Sequence, residues 1–232
     1  MRRPELRTSV ADVAHRLEST MADSDNTIHS RRAEIACARS VKRVNAITAL
    51  LTGGLLAALA FKLTDSGGRG FAPLRLLAGT LAGLLYANAF EYFLHRYALH
   101  WGQGFLVQRH GLHHDSAGSP EEPRYVNFAT SPWVVVLVFA LNALPVLALE
   151  LSLHIGLAVG MFAGFTAYFI AYEEIHWRFH IGGWLPGWLR LARAHHMLHH
   201  GGFEGRYNVF LPIFDWLLQS HKWKDGSPQN VR

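Results

Sequence analysis

The chain has 232 residues, with 22 Lys and Arg against 17 Asp and Glu, one cysteine and 50% hydrophobic residues. Only 17% of the residues are charged, below the roughly 25% of ordinary soluble domains. The lone Cys37 excludes an intramolecular disulfide framework and a cysteine-rich metal site.

Residues 1–43 are polar and basic and contain neither a spanning segment nor a signal-peptide core, so this N-terminus is expected to be retained. Leu6, Val10, Val13, Leu17 and Met21 recur at helical spacing. The arm is therefore expected to be partly disordered or an amphipathic helix lying at an interface. The segment 44–232 is expected to form a single membrane domain with a catalytic cap. Its first spanning segment is Val44–Leu63, close to the roughly 20 residues needed to cross a hydrocarbon core. A glycine-rich turn with Gly67, Gly68 and Gly70 follows. The second span is expected from Phe71 to Leu94 and runs on into HRYALHWG without a break signal. The third is Pro132–Leu149 and the fourth Leu153–Tyr172, joined by almost no linker and so by a tight helical hairpin, with a re-entrant pair as the alternative.

Basic residues orient these spans. Nine Lys and Arg lie in the arm to Arg43, three between Arg96 and Arg124, and seven from Arg178 onward, whereas only Lys62, Arg69 and Arg75 flank the other side. Both termini are thereby expected in the cytoplasm. Topology and anionic lipid account for the positive charge, with no need of a nucleic-acid partner.

Four histidine clusters fall on that same side. They are His95 and His100 in EYFLHRYALH; His110, His113 and His114 in HGLHH; His176 and His180 in HWRFH; and His195, His196, His199 and His200 in HHMLHH. The two HxxHH patterns place three imidazoles on one helix face, and His176 and His180 share a face at i, i+4. A single HxxHH could be a surface patch. Four clusters at one membrane face indicate a metal site, because neutral imidazoles have little reason to accumulate unless something binds them. His15, His29, His154 and His221 lie outside the clusters, and His195 points away from the face of its neighbours. Glu91, one turn before His95, could be a ligand or could hold an imidazole nitrogen.

Ten histidines are too many for one ion and suit two with incomplete shells, and imidazole alone does not choose among iron, zinc and copper. No HExxH, GxSxG, GxGxxG or Walker A pattern points to zinc hydrolysis, serine catalysis or a nucleotide. Two metals at the mouth of a lipid-embedded bundle fit oxygen activation over an acyl chain better.

EYFLHRYALH, RHGLHH, IHWRFH and HHMLHH with the following RYNVFLPIFDWLL resemble the fatty acid hydroxylase/sterol desaturase superfamily of membrane diiron oxygenases, over roughly residues 88–218. The stretch HGLHHDS…PEEPRYVNF is most similar to the fatty acid hydroxylase branch. The resemblance implies an all-α, integral-membrane four-helix bundle under a cytoplasmic helical cap. It implies as metal ligands His95, His100, His110, His113, His114, His176, His180, His196, His199 and His200. It also implies two iron ions, whose place zinc can take on purification, and O2 as co-substrate. Glu91, His195, Asn208 and Asp215 are candidates for supporting those ligands or packing the cap, with a polar turn and a helix cap as the plain alternative for Asn208 and Asp215. Residues 1–43 are too short to hold a cytochrome b5 domain, so none is expected here and electrons are expected from a separate ferredoxin or cytochrome.

The activity implied is hydroxylation of a lipid, most simply a fatty acyl chain. Desaturation of an acyl, sterol or carotenoid lipid on the same centre is the alternative. A metal-binding or transport protein is a reading from another class, but its ligands belong near the bilayer midplane and here every cluster sits at a span's end. A non-catalytic scaffold would be expected to have lost ligands. Tyr92, Trp101, Trp177 and Trp184 are expected in an interfacial aromatic belt, and Gly182, Gly183, Pro186 and Gly187 between Trp184 and Trp188 in an interface-lying turn. The composition points to a bacterial inner membrane, with the endoplasmic reticulum as the alternative of equal topology.

Overall fold

The computed structural model describes residues 10–64, 72–202 and 205–222, with side chains over 27–63, 72–202 and 205–222. The glycine turn and the amphipathic face read from Leu6 to Met21 lie outside these limits. Among the described residues the chain is all-α with no strand. Helix α1 is Val10–Thr64, α2 Pro73–Phe93, α3 Phe105–Ser116, α4 Glu122–Tyr125, α5 Pro132–Leu153, α6 Ala158–His180, α7 Gly187–His200 and α8 Ile213–Leu217. A π-helical stretch, Leu94–His100, continues α2 directly.

Two helical stretches, Thr27–Leu63 and Pro132–Leu153, are long and apolar enough to cross a membrane. Helices α2 and α6 stand where the second and fourth spans were expected and are long but less apolar. They give positions to glycine and to buried polar residues, Asn88 and Glu91 in α2 and Glu173 and His176 in α6. The polar positions serve the site and the glycines serve helix packing.

Helix α6 packs against α2, α1 and α5. Its contact with α2 is a meeting of small residues. A Cβ on Gly79 would lie 2.3 Å from the Leu157 carbonyl oxygen, on Gly83 2.3 Å from that of Met161, and on Gly164 2.2 Å from that of Thr80. Backbone therefore touches backbone, and no side chain can yield. Gly83→Val is expected to part α2 from α6 and cost about 3 kcal/mol or more. Gly54 has open space around its Cβ position, so Gly54→Ala should stabilise α1 by about 0.5–1 kcal/mol through helix propensity. Thermal unfolding of the two variants in detergent checks both signs.

The α5–α6 hairpin is tight but turns later than expected, after Leu153 rather than Leu149, with α6 starting at Ala158. Leu153 closes α5, and His154 (φ 50°) and Gly156 (φ 75°) reverse the chain in left-handed conformations. Buried Glu150 accepts the Gly156 amide at 2.7 Å, the Leu157 amide at 2.9 Å and the Ala158 amide at 3.1 Å, capping the start of α6.

Helix α1 passes through residue 43 without interruption. There it is packed rather than loose. Asn127 Nδ2 donates to the Ala38 carbonyl at 2.8 Å, Lys42 pairs with Glu174, and buried Asn45 donates to the Ala129 carbonyl at 2.7 Å. The aromatic belt divides on inspection. Trp101 and Trp184 are exposed, but Tyr92 and Trp177 are buried, Tyr92 against Phe93, Tyr207 and Phe214 and Trp177 beneath Lys42. Neither buried ring can stand at a lipid interface, because folding has already covered it with protein.

Candidate metal centre

Ten of the eleven clustered histidines converge, in two sets of five, and His195 stands apart. His95, His100, His110, His114 and His199 form one set; His113, His176, His180, His196 and His200 form the other, with one nitrogen of each residue within 4.8 Å of the rest of its set. The sets abut, the rings of His114 and His200 stacking at 4.2 Å.

Each HxxHH motif is shared between the sets. His110 and His114, at i, i+4, serve the first while His113 turns to the second; His196 and His200 serve the second while His199 turns to the first. The three imidazoles of such a motif thus do not converge on one point, as a single helix face would suggest, but link two centres. His95 and His100, five apart, would diverge on an α-helix. The π-helical stretch brings i and i+5 to one side, the role such turns often have at functional sites, and leaves these rings 5.1 Å apart.

Two backbone carbonyls and one carboxylate fix the tautomers of His95, His199 and His180. His199 Nδ1 lies 2.7 Å from the Gly205 carbonyl, and His95 Nδ1 meets the Tyr207 carbonyl. A carbonyl only accepts, so both Nδ1 atoms carry the proton and both Nε2 atoms present lone pairs. Those two Nε2 atoms are 3.1 Å apart. Two lone pairs so placed repel unless a cation lies between them. In the second set Glu122, buried beside α3, accepts from His180 Nδ1 at 2.8 Å, and the His180 Nε2 faces His196 Nε2 at 3.0 Å. A separation near 3.0 Å is what two nitrogens show when each stands roughly 2.1 Å from one ion at a right angle. The donor set therefore fits a metal ion in each group of five.

Burial lowers the proton affinity of these rings, and neighbouring imidazoles lower it further. His100 and His114 fall to about 4, His200 to about 2, and His113, His196 and His199 lie well below the ordinary value. They are neutral at pH 7, the form that binds metal. In the unfolded chain the same groups take up protons near pH 6.5. As pH falls from about 6.5 toward 4 the unfolded state then holds more protons than the folded one, so stability is lost in that window and does not change above it. Thermal unfolding of metal-stripped protein between pH 4 and 8.5 should show this slope; a flat profile from 6.5 to 4 would sink the neutral-imidazole assignment.

The supporting residues lie one layer further out. Glu91 touches no imidazole: its carboxylate accepts the Tyr168 hydroxyl, the Asn208 side-chain amide at 3.1 Å and the Val209 backbone amide at 2.6 Å. Asn208 also donates to the Asn88 carbonyl at 3.0 Å and accepts from the Phe214 amide at 3.2 Å. Buried Asp215 accepts the Tyr207 and Asn208 amides, each at 2.9 Å, and the Ser220 hydroxyl at 2.7 Å. His195 belongs to neither set and faces Asp215 at 3.4 Å. Together these groups pin the segment 205–211, whose carbonyls orient His95 and His199. Sequence reasoning missed Glu122 and the carbonyls of Gly205 and Tyr207. Glu122 sits in PEEPRY without any histidine spacing, and a carbonyl leaves no trace in a sequence.

The model of the fatty acid hydroxylase family matches residues 80–220, more than half of the chain. The chain belongs to the fatty acid hydroxylase family. The matched region opens inside α2 and closes after α8, so it contains all ten histidines and the segment that holds them. No curated protein sequence matches the chain. Among solved structures it is similar to full-length Scs7p, of which only the hydroxylase domain is visible, at 19% identity and a TM-score of 0.57, covering 78% of this chain and 69% of that one. At that identity the likeness shows a shared fold. As a fatty acid hydroxylase family member the protein is an oxidoreductase directed at lipid, and its two histidine sets mark a metal site.

Proposed function

We propose that the protein is an O2-dependent hydroxylase of a fatty acyl chain, with one iron in each histidine set and electrons from a separate ferredoxin or cytochrome. The observation that carries this is the pair of abutting five-imidazole sets, with opposed lone pairs, at the wall of an apolar cavity. The iron pair, when bound and reduced, supplies O2 activation, so that lipid, O2, two electrons and two protons give the alcohol and one water. The chain's own contribution is placement. His95, His100, His110, His114 and His199 would hold one ion and His113, His176, His180, His196 and His200 the other. Glu122 and the Gly205 and Tyr207 carbonyls keep Nδ1 of His180, His199 and His95 protonated and their ε-nitrogens free.

The cavity beside the histidines adjoins the packed interior of α2, α5 and α6, where Phe165, Phe169 and Val138 exclude water. A chain held there offers one short segment to the centre, and this decides which carbon reacts. In the membrane, residues 44–232 form four spans beneath a cytoplasmic cap, with both termini and the basic 1–43 arm on the cap's side. The matching test is mass spectrometry of lipids from expressing cells supplied with iron and isotopic O2. A gain of one labelled oxygen in an acyl lipid is the expected result. Loss of two hydrogens instead would make the protein a desaturase, and an unchanged lipid profile with a competent donor present would overturn both.

A further inference from the structure

The cavity has two lobes. The one beside the histidines is partly polar and includes Arg109, Tyr125 and Thr130. The second lies between α2, α5 and α6 and is lined mainly by apolar side chains, Ala87, Phe165 and Phe169 among them. His95, Leu99, Phe128 and Tyr172 line both, so the lobes meet beside the first histidine set.

Arg109 precedes His110 on α3, but neither histidine set uses it. Its guanidinium lies over the Tyr125 ring at 4.9 Å, and Nη2 donates to the Arg124 carbonyl at 3.1 Å. These two contacts hold the planar group in one orientation. Its Nε–H is buried and has no partner, and no carboxylate pairs with it among the described residues. A buried donor on a fixed cation is costly to leave unpaired. An oxyanion accepting two parallel N–H bonds satisfies it best.

We propose that Arg109 binds the oxyanion head of the substrate, a carboxylate or a phosphate at the end of an unbranched chain. The tail then passes the Leu99–Phe128–Tyr172 neck into the apolar lobe, and the stretch between head and neck lies against the histidines. This deepens the acyl-hydroxylase reading and rests on it for the identity of the site. It selects a charged, single-chain amphiphile over a sterol or carotenoid, neither of which offers Arg109 an anion. Ala87 and Phe165 set the depth of the tail lobe.

Binding to the full chain in detergent tests the assignment without turnover. The probes are palmitate, methyl palmitate and palmitoyl lysophosphatidate. Wild type is expected to bind one of the two oxyanions at least tenfold more tightly than the neutral ester, palmitate if the head is a free carboxylate and lysophosphatidate if it comes from a phospholipid. Arg109→Gln should erase that preference and Arg109→Lys keep part of it, with metal content equal to wild type in both. Ala87→Phe should weaken palmitate but spare decanoate. A wild type indifferent to charge, or an Arg109→Gln protein with the preference intact, overturns the proposal. Oxygen incorporation followed in parallel separates the two readings: an Arg109-dependent preference without product removes the hydroxylase assignment alone, and product without the preference removes the role of Arg109 alone.

Discussion

His196→Ala is expected to halve the bound metal and abolish lipid oxidation. His196 is almost fully buried on α7, and its Nε2 lies 3.0 Å from that of His180 and 3.1 Å from that of His200. Removing it takes one of five donors from the second set and leaves a buried gap. The first set keeps its own five residues, so one ion should remain. His199→Ala should give the mirror result, since its Nε2 stands 3.1 Å from those of both His95 and His100. The loss of affinity at the vacated site should exceed the roughly 10–100-fold typical of removing an outer-shell partner. Metal per chain by mass spectrometry and oxygen incorporation into lipid check the two halves. Full metal content in both variants would show that the imidazoles are packed for another reason.

Asp215→Ala carries the second large effect, and it acts at a distance. Asp215 is fully buried and accepts from the Tyr207 amide, the Asn208 amide and the Ser220 hydroxyl. Alanine strands these donors, each worth about 1–3 kcal/mol when buried without a partner, so a stability loss on the order of 3–5 kcal/mol is expected. The released segment includes the Tyr207 carbonyl that fixes His95 and adjoins the Gly205 carbonyl that fixes His199. Affinity at the first set should therefore fall about 10–100-fold, while the second set, anchored by Glu122, is spared. Glu122→Gln should show the opposite selectivity, because an amide is a weaker acceptor for His180 Nδ1–H. Melting temperature and metal titration of the two variants make the comparison, and equal losses at both sets would refute the division of labour.

Much of the centre was legible because it is written in side-chain chemistry. Imidazoles at i, i+3 and i+4 announce themselves, and so do the apolar blocks of α1 and α5 and the hairpin after Glu150. Less legible was everything set by backbone geometry. The i, i+5 spacing of His95 and His100 makes sense only with the π-helical stretch, which no local residue preference specifies. Small residues at Gly79, Gly83, Gly160 and Gly164 read as neutral until two helix backbones are found in contact across them. Tyr92 and Trp177 have the residue type of a membrane belt but the burial of a core.

By itself the sequence determined that the chain is helical, rich in apolar segments and built to gather ten neutral histidines, because periodicity and ligand chemistry are local properties. Only the tertiary structure decided how the ten divide. His113 and His114 are neighbours in the chain yet enter different sets, as do His199 and His200. A residue's partner across space depends on how α3, α6, α7 and the end of α2 are docked. That docking is set by glycine contacts, buried carboxylates and carbonyls far from the histidines in sequence.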